Sequence, residues 1–286
     1  MIAVTGASGH LGRLAIEALL ARGVPAGEIV AVVRTPEKVA DLAGRGVQVR
    51  RAAYEAPDAL RAAFRGVDKV YFISGSEVGQ RIPQHRNVIE AAKASGVGLV
   101  VYTSAPHADT AEYRLAEEHR ETERMIRESG VPYVILRNGW YMENYTRQIA
   151  EALEHGGIFG CAGEGRVSAA TRADLAEAAA VVLTTPGHEG KTYELGGDEA
   201  FTMAEFAAEL SRQADDEVVY KDFPFDDYVK VLVSYGVPEP FARLLADSDL
   251  GVGRGELYID TGDLSRLLGR PATTMKEAIA AALRSE

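Results

Sequence analysis

Residues 2–21 read IAVTGASGHLGRLAIEALLA, with glycines at positions 6, 9 and 12 between two apolar runs. Residues 2–4 have strand character, while Leu11, Leu14, Ala15, Ala18 and Leu19 recur at helical spacing beyond the glycines. A strand, a glycine turn and an amphipathic helix, in that order, let backbone N–H groups approach a diphosphate at a helix N-terminus. The spacing is G-x-x-G-x-x-G rather than G-x-G-x-x-G, so by itself it also fits a tight turn that needs positive φ. Its context, directly after an apolar strand and before a helix, favours the phosphate reading.

Outward from the turn, IVAVV at Ile29–Val33 is a continuous apolar run, as expected of a strand buried on both faces. Arg34 follows it, where NAD-preferring folds carry an Asp or Glu for the ribose 2′-hydroxyl. A planar guanidinium suits a 2′-phosphate instead. Together the turn and Arg34 predict NADPH over NADH.

The alternation continues. Strands are expected at residues 47–51, 70–73, 99–103 and 133–136, with helices at 57–64, 84–95 and 112–129. Alternating elements of this kind form right-handed βαβ units around a parallel sheet. After residue 137 the rhythm breaks. GGIFGCAGEG at 156–165 suits a hairpin or strands leaving the main sheet, 173–183 a helix and 192–195 a strand. From 201 onward the pattern is mostly helical, the last helix being capped by Thr273 or Thr274. The expected fold is α/β: a Rossmann-type doubly wound parallel sheet with a smaller, mainly helical substrate lobe. Residues 1–146 form the NADP-binding domain in this reading, the chain returning to it near 168–200. Residues 147–286 form the lobe.

The 286 residues carry a net charge of −11, which argues against nucleic acid or an anionic membrane as the main partner. No apolar run approaches the roughly 18–20 residues of a membrane-spanning helix. No leader is visible, and one cysteine, Cys161, excludes an internal disulfide. A cytoplasmic protein acting on a small molecule, with a homodimer as a possible assembly, is the expectation. No His, Cys, Asp and Glu set has metal-ligand spacing, and no nucleophile elbow or second nucleotide motif is present.

TGASGHLG, AVVRTPEK, ISGSEVGQRIPQHRNVIEAAKASGV, YTSAPHADT, EEHRETE, LRNGWYMENY and SAATRADLAEAAA together resemble the NmrA-like branch of the atypical short-chain dehydrogenase/reductases. Within it the chain is most similar to bacterial NADPH-dependent quinone oxidoreductases of type 2, nearly end to end. The resemblance implies NADP contacts at Gly6, Ser8, Gly9, His10, Leu11 and Gly12, with Arg34 on the adenosine phosphate. It implies that Ser74, Gly75, Ser76 and Glu77 line the middle of the cofactor; Thr103 and Ser104 are further cofactor-binding candidates, Ser104 keeping a serine-like position that, without a tyrosine partner, is structural or a cofactor contact. Asn138, Gly139, Trp140, Tyr141, Met142 and Glu143 would border the nicotinamide, and Ala170, Thr171, Arg172, Ala173, Asp174 and Leu175 would close over it.

Carbonyl-reducing relatives protonate their substrate with a Tyr-x-x-x-Lys pair. Here Leu115 stands at the tyrosine position and His119 at the lysine position. A quinone makes that loss tolerable, because the hydroquinone anion takes its proton from water and catalysis reduces to alignment. His119, near the nicotinamide ribose, and Tyr141 are the catalytic candidates; Trp140, Asn144 and Tyr145 are candidates for holding a flat ring. His85 and His107 have weaker claims. Two alternatives to NADPH-dependent quinone reduction stand: an NADP(H)-binding redox sensor with little catalysis, and a reductase of triphenylmethane-type dyes.

Overall fold

The computed structural model describes residues 1–284. Its strands are β1 (Ile2–Thr5), β2 (Ile29–Val33), β3 (Gln48–Arg51), β4 (Lys69–Phe72), β5 (Leu99–Ser104), β6 (Tyr133–Asn138), β7 (Gly157–Gly160), β8 (Thr192–Leu195) and β9 (Val219–Asp222). The helices α1 (His10–Ala21), α2 (Ala40–Gly44), α3 (Pro57–Ala63), α4 (Arg81–Ala94) and α5 (Arg114–Ser129) alternate with the first six strands. They are followed by α6 (Glu143–Thr146), α7 (Ile149–His155), α8 (Arg172–Thr184), α9 (Met203–Ala214), α10 (Phe225–Ser234), α11 (Glu239–Gly253), α12 (Asp263–Leu268) and α13 (Met275–Leu283).

Seven strands form one sheet in the order β3-β2-β1-β4-β5-β6-β8, and the pairs from β3 to β6 are parallel. This is the doubly wound Rossmann arrangement that the alternation implied. All five residues of β2 are buried, as are the last three of β1 and of β4, because helices cover both sheet faces. The winding reverses at β1, whose neighbours are β2 and β4. In such sheets the crevice beyond the carboxyl ends at the reversal is where ligands bind.

Two compact units divide the chain. The first contains residues 1–104, 118–137 and 172–193, and the second contains 105–117, 138–171 and the chain from 194 onward. The first unit's core includes Val30, Val32, Phe64, Val70, Phe72, Tyr102 and Ile126. The second has its own core of Tyr113, Met142, Val167, Phe206, Leu210, Val252 and Ile279. Each such side chain contributes roughly 1.5–3 kcal/mol on burial, so both units have an apolar interior of their own.

Several boundaries differ from expectation for physical reasons. α4 begins at Arg81, three residues before the expected start, with Pro83 inside its first turn. Proline costs little there, since a first-turn N–H has no intrahelical partner. α5 begins at Arg114 instead of 112, its first N–H donating to the Asp247 carboxylate at 2.7 Å. Of the two forms expected for 156–165, the strand outside the main sheet is found and not the hairpin: β7 pairs in parallel with β9, Gly157 to Gly160 opposite Val219 to Asp222, in a separate two-stranded sheet. β9 is therefore a strand inside the region expected to be mostly helical. Thr274, not Thr273, caps the last helix.

Candidate functional site

The first turn divides its work among three glycines. Gly6 has φ +60° and its carbonyl accepts the Gly9 N–H at 2.9 Å, closing the turn. Gly12 lies beneath it: a Cβ there would sit 2.5 Å from the Gly6 oxygen and 2.8 Å from Ala7 Cα, so α1 packs on the turn only with glycine. Gly9 is the N-cap of α1. No side chain caps that helix and no acidic residue occupies its first turn. Gly6, Gly9 and His10 are exposed, Ser8 is half-buried, and Leu11 and Gly12 are buried under the turn.

Gly6, Ser8 and Gly9 line a cavity of about 260 Å³ together with Arg34, Ser74, Gly75, Ser76 and Glu77. Eight of the expected cofactor positions thus meet in one place within the first unit. Val32, Val33, Ala52, Tyr54, Glu55, Ile73 and Gln84 complete the wall and had not been singled out in the sequence. A Tyr three residues beyond a short strand is the one available signal among them.

The loop after β4 is fastened from beneath. Ser74 donates its N–H to the Thr103 hydroxyl at 2.8 Å, and the Tyr54 hydroxyl lies 2.6 Å from the Ile73 carbonyl oxygen. Gly75 is held at both ends: its N–H donates to His85 Nε2 at 2.9 Å, and its carbonyl accepts from Arg81 Nε at 2.6 Å. His85 Nε2 is therefore unprotonated, and Nδ1 carries the hydrogen toward the Thr122 hydroxyl 2.9 Å away. Thr122 passes its own hydrogen to the Glu118 carbonyl at 2.8 Å. Burial first, and the Arg81 charge second, push the His85 imidazole down to about 3. It is a neutral, tautomer-locked anchor for the loop backbone.

Thr103 thus acts through Ser74. Ser104 donates to Glu123 at 2.6 Å, and Glu123 also accepts both arms of Arg137 at 2.9 and 2.8 Å. That buried group is satisfied within the first unit. His119 is also buried there, 2.7 Å from the Tyr102 hydroxyl through Nδ1, and burial holds it neutral. Leu115 packs on the second unit's core. The ring of His107 donates through Nε2 to the Tyr258 carbonyl at 2.8 Å, a structural bond in the second unit.

The expected nicotinamide-end residues come together partly within the second unit. Tyr141 bridges Ala170, the Met142 N–H donates to the Ala170 carbonyl at 3.0 Å, and the Ala170 N–H donates to the Trp140 carbonyl at 2.9 Å. Gly139 is needed for packing, since a Cβ would lie 2.8 Å from the carbonyls of both Leu195 and Ser168. Tyr145 packs edge-on against Phe201 at 5.9 Å and tilted against Phe206 at 5.8 Å, and Trp140 rests on the same core. Glu143 opens α6, with Asn144 half-buried beside it. Asn138 closes β6 with a side chain only 5% exposed, and neither amide atom has a hydrogen-bond partner. Thr171 and Arg172 are half-buried, Ala173 is exposed, and Asp174 and Leu175 are buried in the first turn of α8, which packs along α1.

Among the described residues no three His, Cys, Asp or Glu side chains are grouped to hold a metal ion, and no helix is long and apolar enough to cross a membrane. Residues 6–186 match the NAD(P)H-binding family model. The chain belongs to that family. It is 52% identical over 279 residues to quinone oxidoreductase 2 of Escherichia coli, a match covering 98% of this chain and 97% of the relative. A crystal structure of that NADPH-dependent E. coli enzyme with NADPH superposes with a TM-score of 0.97 at 51% identity, covering 99% of this chain and all of the other. The Citrobacter triphenylmethane reductase complexed with NADP(H) gives a TM-score of 0.94 at 41% identity, covering 99% and 100%. Nucleotide binding in this family fits the geometry of the glycine turn and its cavity.

Proposed function

We propose that the protein is an NADPH-dependent quinone reductase that works by direct hydride transfer. One observation carries the cofactor half of this reading: an uncapped helix N-terminus and a guanidinium line the same cavity. The residues fit NADPH. The exposed Gly6, Ser8 and Gly9 would meet the diphosphate, Arg34 the 2′-phosphate, and Gly75 with its neighbours the middle of the molecule. The buried, unpartnered amide of Asn138 is a polar group available to a ligand at the end of β6.

NADPH supplies the hydride when bound. A quinone that accepts it becomes a hydroquinone monoanion and takes its proton from water, so the reaction needs no enzymic acid. This agrees with a Leu115 packed against the second unit's core at the position of the acid, and with a His119 held neutral by burial. The chain's own work is to bind, orient and exclude water. His119 and Tyr141 are retained as candidates for positioning the reactants, with Trp140, Asn144 and Tyr145 as candidate walls for the acceptor. Reduction of triphenylmethane-type dyes is a second reading, favoured by 41% identity to a reductase of that name.

NADPH oxidation measured with 1,4-benzoquinone tests the proposal; turnover well above the uncatalysed mixture is expected. A rate equal to the mixture's, with tight NADPH binding, would leave a sensor. Arg34→Ala is expected to weaken NADPH binding by ten- to hundredfold, about 1.5–3 kcal/mol, and to leave NADH binding within twofold. Equal affinities for both cofactors before and after the substitution would remove Arg34 from the site.

A further inference from the structure

Arg34 is already engaged. Its NH1 donates to Glu77 Oε1 at 2.8 Å, and the second carboxylate oxygen, Oε2, accepts from Gln84 Nε2 at 2.9 Å. Arg34 directly follows β2 and Glu77 lies in the loop after β4, the two strands that flank β1. The bridge therefore joins the segments on either side of the glycine turn. All three side chains line the cavity. The ion pair is solvent-exposed, with 64% of the arginine and 47% of the glutamate side chain accessible, so breaking it costs little.

Resting on the NADPH reading above, we propose that Glu77 is a counter-ligand, displaced from Arg34 by the 2′-phosphate, and that this competition sets the preference between NADPH and NADH. The charges favour such an exchange. The cavity lining carries one cation, Arg34, and two carboxylates, Glu55 and Glu77. A phosphate with close to two negative charges outcompetes a singly charged carboxylate for the same guanidinium. Gln84 keeps hold of the other Glu77 oxygen, so the carboxylate remains anchored after Arg34 turns away. A cofactor with a bare 2′-hydroxyl brings no anion, leaves the bridge intact, and meets a carboxylate able to accept its hydroxyl hydrogen, as acidic residues do in NAD-preferring folds. Glu77 thus penalises the phosphorylated cofactor and spares the other.

The experiment is a set of equilibrium titrations of NADPH and NADH, followed by reduced-nicotinamide fluorescence, on the parent protein, Glu77→Gln, Arg34→Ala and the double variant. Glu77→Gln should bind NADPH about three- to fivefold more tightly, the range expected for releasing an exposed ion pair, and NADH no more tightly than the parent. In the Arg34→Ala background the same change should yield less than half of that gain. Weaker or unchanged NADPH binding by Glu77→Gln overturns the proposal, the weaker result making Glu77 a direct cofactor contact. An equal gain in both backgrounds also overturns it, leaving Glu77 a simple repelling charge. Failure of the underlying reading is distinguishable, because Arg34→Ala alone would then leave both cofactors bound as before.

Discussion

Two kinds of helix start occur in this molecule. In the second unit, α9 and α13 begin with complete capping boxes: Thr202 and Thr274 accept the N–H groups of Glu205 and Glu277 at 3.1 and 3.2 Å. Both glutamates return the bond to the threonine N–H at 2.9 Å. In the first unit, α1 begins at Gly9, which has no side chain to cap it. A helix start has four donors without intrahelical partners, and leaving them open costs stability unless water or a ligand fills them. Other starts lack side-chain caps as well, but α3 and α11 carry proline in the first turn, which removes one of those donors, and α2, α6, α7, α10 and α12 carry an acidic residue there, which α1 does not. At α1 the exposed Gly9 and the half-buried Ser8 line a cavity. T-x-x-E marks an end that completes itself, and G-x-x-G an end completed by something else.

The largest effect that would sharpen this contrast is expected from Gly9→Asp. The backbone there has φ −80°, which any residue adopts, and a new Cβ would lie 3.2 Å from the Gly6 oxygen, so the turn must give by a few tenths of an ångström to admit it. The chain should fold with stability changed by a few tenths of a kcal/mol. NADPH affinity should fall ten- to hundredfold, about 1.4–2.8 kcal/mol, because a carboxylate would take the place of the phosphate. Unchanged affinity with an unchanged melting temperature would show that the α1 start binds nothing. Smaller effects are expected at the closed ends. Thr202→Ala should destabilise the protein by about 1 kcal/mol in urea titration, and Thr274→Ala by about 0.5 kcal/mol or more, both without altering NADPH affinity. A lost cofactor affinity in either variant would break the division between the two kinds of start.

The first unit was legible because its signals are local. IVAVV announces a strand covered on both faces, and Gly6, Gly9 and Arg34 stand at the ends of adjacent strands, where winding alone brings them together. What the chain conceals is held by distant partners. β7 meets β9 about sixty residues later, and α5 takes its first cap from Asp247; neither leaves a periodic trace. Arg81 belongs to α4 although Pro83 follows it, so a reading that treats proline as a boundary starts the helix late. At the candidate site, Gly6, Gly9 and Arg34 are legible from the strand–turn–helix pattern, whereas Ser8 and Ser74 to Glu77 follow only from the family resemblance, whose segment also holds Gln84, and Tyr54 lies in no motif. Thr103 and Ser104 were placed at the right strand end, but their hydroxyls turn to Ser74 and Glu123, a choice that depends on packing. The same holds for Tyr145, whose aromatic partners Phe201 and Phe206 lie some sixty residues away.

The neutral imidazole beneath Gly75 couples the nucleotide loop to proton activity. Its folded-state value of about 3 lies below the roughly 6.5 of an unfolded histidine, so across that interval the unfolded chain takes up a proton the native one refuses. The stabilisation is complete above about pH 6.5 and drains away as the medium acidifies, by about 1.4 kcal/mol for each pH unit between those limits. His119 adds to the loss in the same direction. Urea midpoints measured from pH 7 to pH 5 should fall accordingly, and fall less steeply in His85→Gln; parallel curves would mean that His85 is not the proton acceptor. The same buried ring that makes the cradle rigid at neutrality makes acid its solvent of least resistance.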